Sequence, residues 1–160
     1  MTHASWATPS AAATGAPVPD AAGYIFGYRE LRLGSVMYGE IWPIGEPLGA
    51  RCRRARHPAP DPACGCGIHA VSLTAPLGLE PPTLAAARAA LARADLSVVP
   101  FDQGPVGVVR GWGLVAEEEM GWRAEWAEPV ALFLPAPDQV VTGALVERLA
   151  RLYRLETLPA

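Results

Sequence analysis

Two long runs with β-strand spacing constrain the fold of this chain most. They cover residues 106–118 and 122–134, and a short turn that ends at Gly121 joins them. Glycine at this position suits the tight turn between two antiparallel strands. We therefore predict a long hairpin over about residues 106–134, within a mainly antiparallel sheet.

Shorter patterns supply the other elements. Residues 24–33, 37–42 and 66–73 are β-prone, and two segments with helical patterns follow, at about 83–95 and 138–154. Thr83 and Asp138 are the expected N-caps of these helices, because their side-chain oxygens can accept from free backbone N–H groups. Strands, helix, hairpin and helix in this order predict an α+β fold.

The length and composition favour one domain with a tail. Residues 1–22 are rich in Ala, Pro, Ser and Thr without periodicity, so we expect a disordered tail and a single domain over 23–160. Apolar residues make up 51% of the 160, enough for a core. No segment has the ~20 apolar residues of a membrane span, and no signal peptide is recognisable. We expect a cytoplasmic protein.

Every cysteine and two of the three histidines fall between Cys52 and His69, mostly in a Pro/Gly-rich loop. Thiolate and imidazole groups at this density are typical of a Zn²⁺ site. An extended segment from Cys66 would place His69 on the opposite face from Cys66. The preferred ligands are therefore Cys52, His57, Cys64 and Cys66, a Cys₃His site, with His69 as the alternative to His57.

Other interpretations of this cluster stay open. A catalytic metal needs an open coordination position and a nearby acid or base, and the sequence contains neither His-x-Glu nor His-Glu-x-x-His. Redox chemistry favours a Cys-x-x-Cys spacing, and Cys64 and Cys66 are one residue too close. The thiols can also simply be free or buried.

Two further groups of residues suggest ligand binding. Arg51, Arg53, Arg54 and Arg56 can contact phosphate or nucleic acid, or offset the charge of a metal–thiolate centre. The net charge of −3 does not indicate the basic surface that is typical of nucleic-acid-binding proteins.

The second group lies on the hairpin. Trp122 and Trp126 are expected on one strand face and Arg123 and Glu125 on the other, where the last two can form an ion pair. Trp112, Trp122, Arg123 and Glu125 are the candidates for a small-molecule or enzymatic pocket, although tryptophans in such a pattern are more often part of a core.

The cysteine motif and the hairpin also carry a resemblance. Cys52, His57 and the run Cys64-Gly-Cys66-Gly-Ile-His, followed by Gly121-Trp-Arg-Ala-Glu125-Trp, resemble a group of small uncharacterised proteins of high-GC bacteria. The likeness covers about residues 23–135. An aromatic residue is usual in that group at the position of His69, which agrees with His69 lying outside the metal site. No particular activity can be inferred from this resemblance.

The function predicted from the sequence is that of a cytoplasmic zinc-binding accessory or interaction domain. Its metal is structural, its partner is an unidentified protein, and the chain carries no recognisable catalytic motif.

Overall fold

A computed structural model of the chain describes residues 21–24, 32–35, 40–72, 83–93, 104–135 and 142–160. The elements along the chain are β1 (Ala21–Tyr24), β2 (Leu48–Gly49), β3 (Ile68–Ser72), α1 (Leu84–Arg93), β4 (Val106–Glu118), β5 (Gly121–Phe133), α2 (Gly143–Tyr153) and β6 (Glu156–Leu158). The predicted α+β class is confirmed. Among the described residues, no helix is long and apolar enough to cross a membrane.

The predicted hairpin forms the centre of the sheet. Strands β4 and β5 pair antiparallel, with Glu118 opposite Gly121 at the tip. Along its other edge β5 pairs with β3, then β2, and finally with β6, which runs parallel to it. Strand β1 pairs with both β3 and β4, so the pairings of β1, β3, β5 and β4 close into a ring. The parallel strand β6 was not foreseen from the sequence.

The hairpin contains an irregularity that alternation alone does not predict. The register shifts between Trp112 and Val115, where Gly113 has φ +82°. Trp122 is 2% exposed and belongs to the core, whereas Trp126 is 39% exposed. The two rings, expected on one strand face, therefore differ in their environments. The register shift lies between the pairing positions of the two rings and breaks the simple alternation.

The helices cover the sheet through their apolar faces. Thr83 caps α1, because its Oγ1 accepts from the backbone N–H of Ala86 at 3.1 Å, as predicted. The predicted start of the second helix at Asp138 is wrong. Asp138 lies outside the described residues, but Thr142 has an extended backbone and accepts from Leu145 N–H, so α2 begins at Gly143.

Helix α2 also anchors the segment that leads to β2. The Tyr153 hydroxyl donates to the carbonyl oxygen of Trp42 at 2.9 Å and accepts from Leu33 N–H at 3.1 Å. Strand β1 begins at Ala21, two residues before the expected domain start at Gly23. Residues 1–20, the rest of the expected tail, lie outside the described part of the chain.

Candidate metal centre

Strand β5 brings together the two ends of residues 52–66, which we call the Cys/His loop. Before the loop, β2 pairs with β5 at Trp126 and Ala127, and Ala50 N–H donates to Glu125 O at 2.7 Å. After the loop, β3 pairs with the same edge of β5 further along. Because both ends leave from neighbouring positions on one edge, the loop folds back on itself.

This folding brings the four predicted ligands together. Cys52 Sγ lies 3.8 Å from Cys64 Sγ, and Cys66 Sγ lies 3.9 Å from His57 Nδ1. One potential ligand atom from each of the four residues lies within 4.8 Å of the others. Tetrahedral Zn²⁺ with Zn–S distances of about 2.3 Å separates its sulfur ligands by roughly 3.8 Å. The four side chains are therefore placed compatibly with a metal site.

His69 lies outside this group. It is on β3, and its Nε2 lies 2.9 Å from the carbonyl oxygen of Gly65. Cys66, Ile68 and Ala70 are buried, while Gly67 and His69 between them are half-buried. The burial alternates as predicted, but the extended segment expected from Cys66 begins only at Ile68, because Gly67 before it has φ +123°.

Short backbone contacts shape the loop around the thiols. Ala55 N–H donates to Cys52 Sγ at 3.3 Å, and Ala63 N–H donates to Asp61 Oδ1 at 2.8 Å. Cys64 N–H donates to the Asp61 carbonyl oxygen at 3.1 Å. These turns present Cys52 and Cys64 towards each other.

Contacts within the cluster shift the pKa values of its side chains even without a metal. A backbone N–H of Cys66 and the neighbouring His57 lower the pKa of the Cys64 thiol to about 7. Burial raises the pKa of Cys66, and the Pro58 carbonyl together with Cys64 raises the pKa of His57. A thiol deprotonated near neutral pH is a ready metal ligand, because only the thiolate coordinates.

Arg123, on strand β5, contacts the end of the Cys/His loop. This side chain is 7% exposed, and its Nη1 lies within hydrogen-bond distance of three carbonyl oxygens: Cys64 at 2.5 Å, Cys66 at 2.8 Å and Asp61 at 3.2 Å. Its Nε donates to Glu118 Oε1 at 2.5 Å. The hairpin is thereby fastened to the turn that carries two of the thiols.

Gly67 permits this close packing. Its φ of +123° is rarely adopted by residues with side chains, and a Cβ there would lie 2.9 Å from the Arg123 Cβ and 3.0 Å from the Pro60 Cβ. Any larger residue would push the end of the loop away from β5.

Two of the four residues of the predicted pocket at Trp112, Trp122, Arg123 and Glu125 have other contacts. Trp122 is in the core, and Arg123 is engaged by the loop and by Glu118 rather than by Glu125. The Glu125 Oε2 instead accepts from Leu114 N–H at 3.0 Å, at the register shift. Sequence alternation placed Arg123 and Glu125 on one face but gave no sign of a loop about 60 residues away.

A cavity of about 270 Å³ opens at the cluster itself, three of whose four residues line it. Residues 48–54 and 64–68 line it, together with Ser35 and Glu40. All three cysteines line it. Arg51, Arg53 and Arg54 line it too, whereas Arg56 does not, and all four arginines are exposed.

Comparison with protein-family models, with curated proteins and with solved structures found no match for this chain. The resemblance to the bacterial group therefore stays a prediction from the motifs alone.

Proposed function

We propose that this chain is a cytoplasmic zinc-binding domain in which Cys52, His57, Cys64 and Cys66 hold one structural Zn²⁺. In this proposal the domain acts as an accessory or interaction module, not as an enzyme. The observation that carries the proposal is the gathering of three sulfur atoms and one imidazole nitrogen within 4.8 Å of one another.

The donor set favours zinc over other biological metals. Thiolate and imidazole ligands suit Zn²⁺, whereas Mg²⁺ and Ca²⁺ prefer oxygen. Such ligands also persist best in a reducing compartment, where thiols are not lost to disulfides.

The number of donors favours a structural role. Four protein ligands complete a tetrahedral shell, while catalytic zinc sites keep one position for water or substrate. Zn²⁺ bound here would join Cys52, at the start of the loop, to Cys64 and Cys66, at its end. The ion would thus hold closed a loop that buries few of its own side chains.

Matched histidine variants test the proposal. Purified wild-type protein is expected to contain one zinc per chain by elemental analysis. His57→Ala and Cys64→Ser should lose most of the zinc and lower the melting temperature, since the metal contributes to folding. His69→Gln is the control and should keep the zinc.

Two results would contradict the proposal. One is wild-type protein that contains no zinc after purification without a metal-charged resin and binds none when it is added. The other is loss of zinc in His69→Gln together with its retention in His57→Ala, which would show that His69 and not His57 is the fourth ligand.

A further inference from the structure

The cavity at the cluster is lined by two stretches, called here its two walls, one from each end of the Cys/His loop. Residues 48–54 include Cys52, and residues 64–68 include Cys64 and Cys66. The ion of the proposed function would therefore tie the two walls together. Its volume without an ion is about 270 Å³, close to the roughly 300 Å³ at which small-molecule sites begin, and the ion would take up a small part of it.

The charges around the cavity favour an anion. Arg53 forms an ion pair with Glu40, and both line the cavity, so their charges cancel. Arg51 and Arg54 add two positive charges, and neither is in an ion pair among the described residues. Zn²⁺ with three thiolates and a neutral imidazole carries −1. The balance is positive, and it favours a ligand that carries a negative group.

The remaining lining favours an apolar body on that ligand. Leu48 and Ile68 line the cavity, and Ile68 belongs to the hydrophobic core. Gly49, Gly65 and Gly67 also line it and have no side chains to fill the space. Apolar walls with a few charged groups are the usual composition of a small-molecule site.

We propose that this cavity binds a small molecule made of an apolar body and one carboxylate or phosphate group, with Arg51 and Arg54 contacting the anion. The proposal rests on the proposed function for the −1 charge of the centre and for the joining of the two walls. Guanidinium groups suit both anions, because their N–H groups match the oxygens of either in pairs.

Three small probe molecules test the charged and the apolar parts of the proposed ligand separately. Zinc-loaded wild-type protein, freed of excess metal, is titrated by calorimetry with benzoate, phenyl phosphate and benzyl alcohol. At least one anion should bind, and benzyl alcohol should bind at least about tenfold more weakly, because it lacks the charge. The stronger of the two anions identifies the head group. Backbone amide NMR shifts should map the binding to residues 48–54 and 64–68.

Arginine variants give the matched control. Arg51→Gln and Arg54→Gln should each lower the affinity for the more tightly bound anion by about tenfold. This is the loss expected for one charge-assisted hydrogen bond. Arg148→Gln removes an exposed arginine from α2, away from the cavity lining, and should leave the affinity unchanged.

Several results would overturn the site. These are the absence of binding by either anion, equal binding of benzyl alcohol, equal losses in Arg51→Gln and Arg148→Gln, or NMR shifts confined to other residues. Zinc content is measured on the same samples. Zinc-containing protein that binds neither anion contradicts only the cavity proposal, whereas protein unable to hold zinc contradicts the proposed function itself.

Discussion

The Cys/His loop and the β4–β5 hairpin are held in place by different forces. The hairpin consists of two 13-residue strands with many buried side chains, among them Trp122, Leu132 and Phe133. In the loop only Ala59, Pro60 and Cys66 are buried. Burial of apolar surface can stabilise the hairpin, whereas in our proposal the loop relies on zinc bound by its four Cys and His side chains and on Arg123. The conformation of the loop should therefore depend on the metal much more than that of the hairpin.

Removal of zinc with a chelator should separate the two regions most clearly. We expect amide hydrogen exchange in the Cys/His loop to accelerate by on the order of a hundredfold, because the constraint between its ends is lost. Exchange in the centre of β4 and β5 should change little. Exchange followed by mass spectrometry resolves both regions, and equal acceleration in the two would show that they form one metal-dependent unit.

Arg123→Met tests the link between the regions. It leaves three carbonyl oxygens of the loop without their buried donor, so the free energy of unfolding should fall by about 3–5 kcal/mol. Zinc affinity, measured by chelator competition on folded protein, should fall by about 10–100-fold, as is typical for residues that orient metal ligands.

Arg110→Met is the matched control on the neighbouring strand. Arg110 is exposed and pairs with Glu128, so its loss should cost less than about 1 kcal/mol and leave zinc affinity unchanged. If Arg123→Met lowers the stability of the zinc-bound and zinc-free forms equally, then Arg123 does not act on the metal site.

Two glycines provide a smaller comparison. Gly67→Ala should destabilise the protein by about 3 kcal/mol, because alanine is strained at φ +123° and its Cβ would press on Arg123 and Pro60. Gly45 also has a positive φ, +75°, but no atom lies within 4 Å of a Cβ built there. Gly45→Ala should therefore cost only about 1 kcal/mol. Denaturant unfolding measures both, and equal costs would contradict the close packing of Gly67.

The comparison also explains what the sequence could predict. Alternation and the turn at Gly121 define the hairpin because both are local signals, and they identified its strands to within a residue or two. The four residues of the Cys/His cluster could be singled out because their chemistry is distinctive and they are close in sequence. The contact of Arg123 with Cys64 and Cys66 spans about 60 residues and depends on how β3 and β5 pair. No local pattern encodes that pairing.

Two other features were missed for related reasons. The register shift at Gly113 depends on the partner strand, so the different environments of Trp122 and Trp126 could not be seen in either strand alone. The start of α2 was misplaced because Asp138 and Thr142 are both good N-caps, and composition does not choose between them.

The smallest effect distinguishes thiols within the loop. In metal-free protein at pH 7.5, Cys64 should be alkylated faster than Cys66. The hydrogen bond from Cys66 N–H and the contact with His57 bring the pKa of Cys64 to about 7, while burial raises the pKa of Cys66. The rate at Cys64 should fall as the pH drops below about 7, because the thiol becomes protonated. Peptide mass spectrometry after brief iodoacetamide treatment measures this order, and faster alkylation of Cys66 would contradict it.

X-ray absorption at the zinc edge tests the Cys₃His centre most directly. For the purified native protein we predict a four-coordinate spectrum with three sulfur atoms at about 2.3 Å and one nitrogen at about 2.0–2.1 Å. A first shell of nitrogen and oxygen alone, or one with fewer than three sulfur atoms, would contradict the assignment of Cys52, Cys64 and Cys66 as ligands.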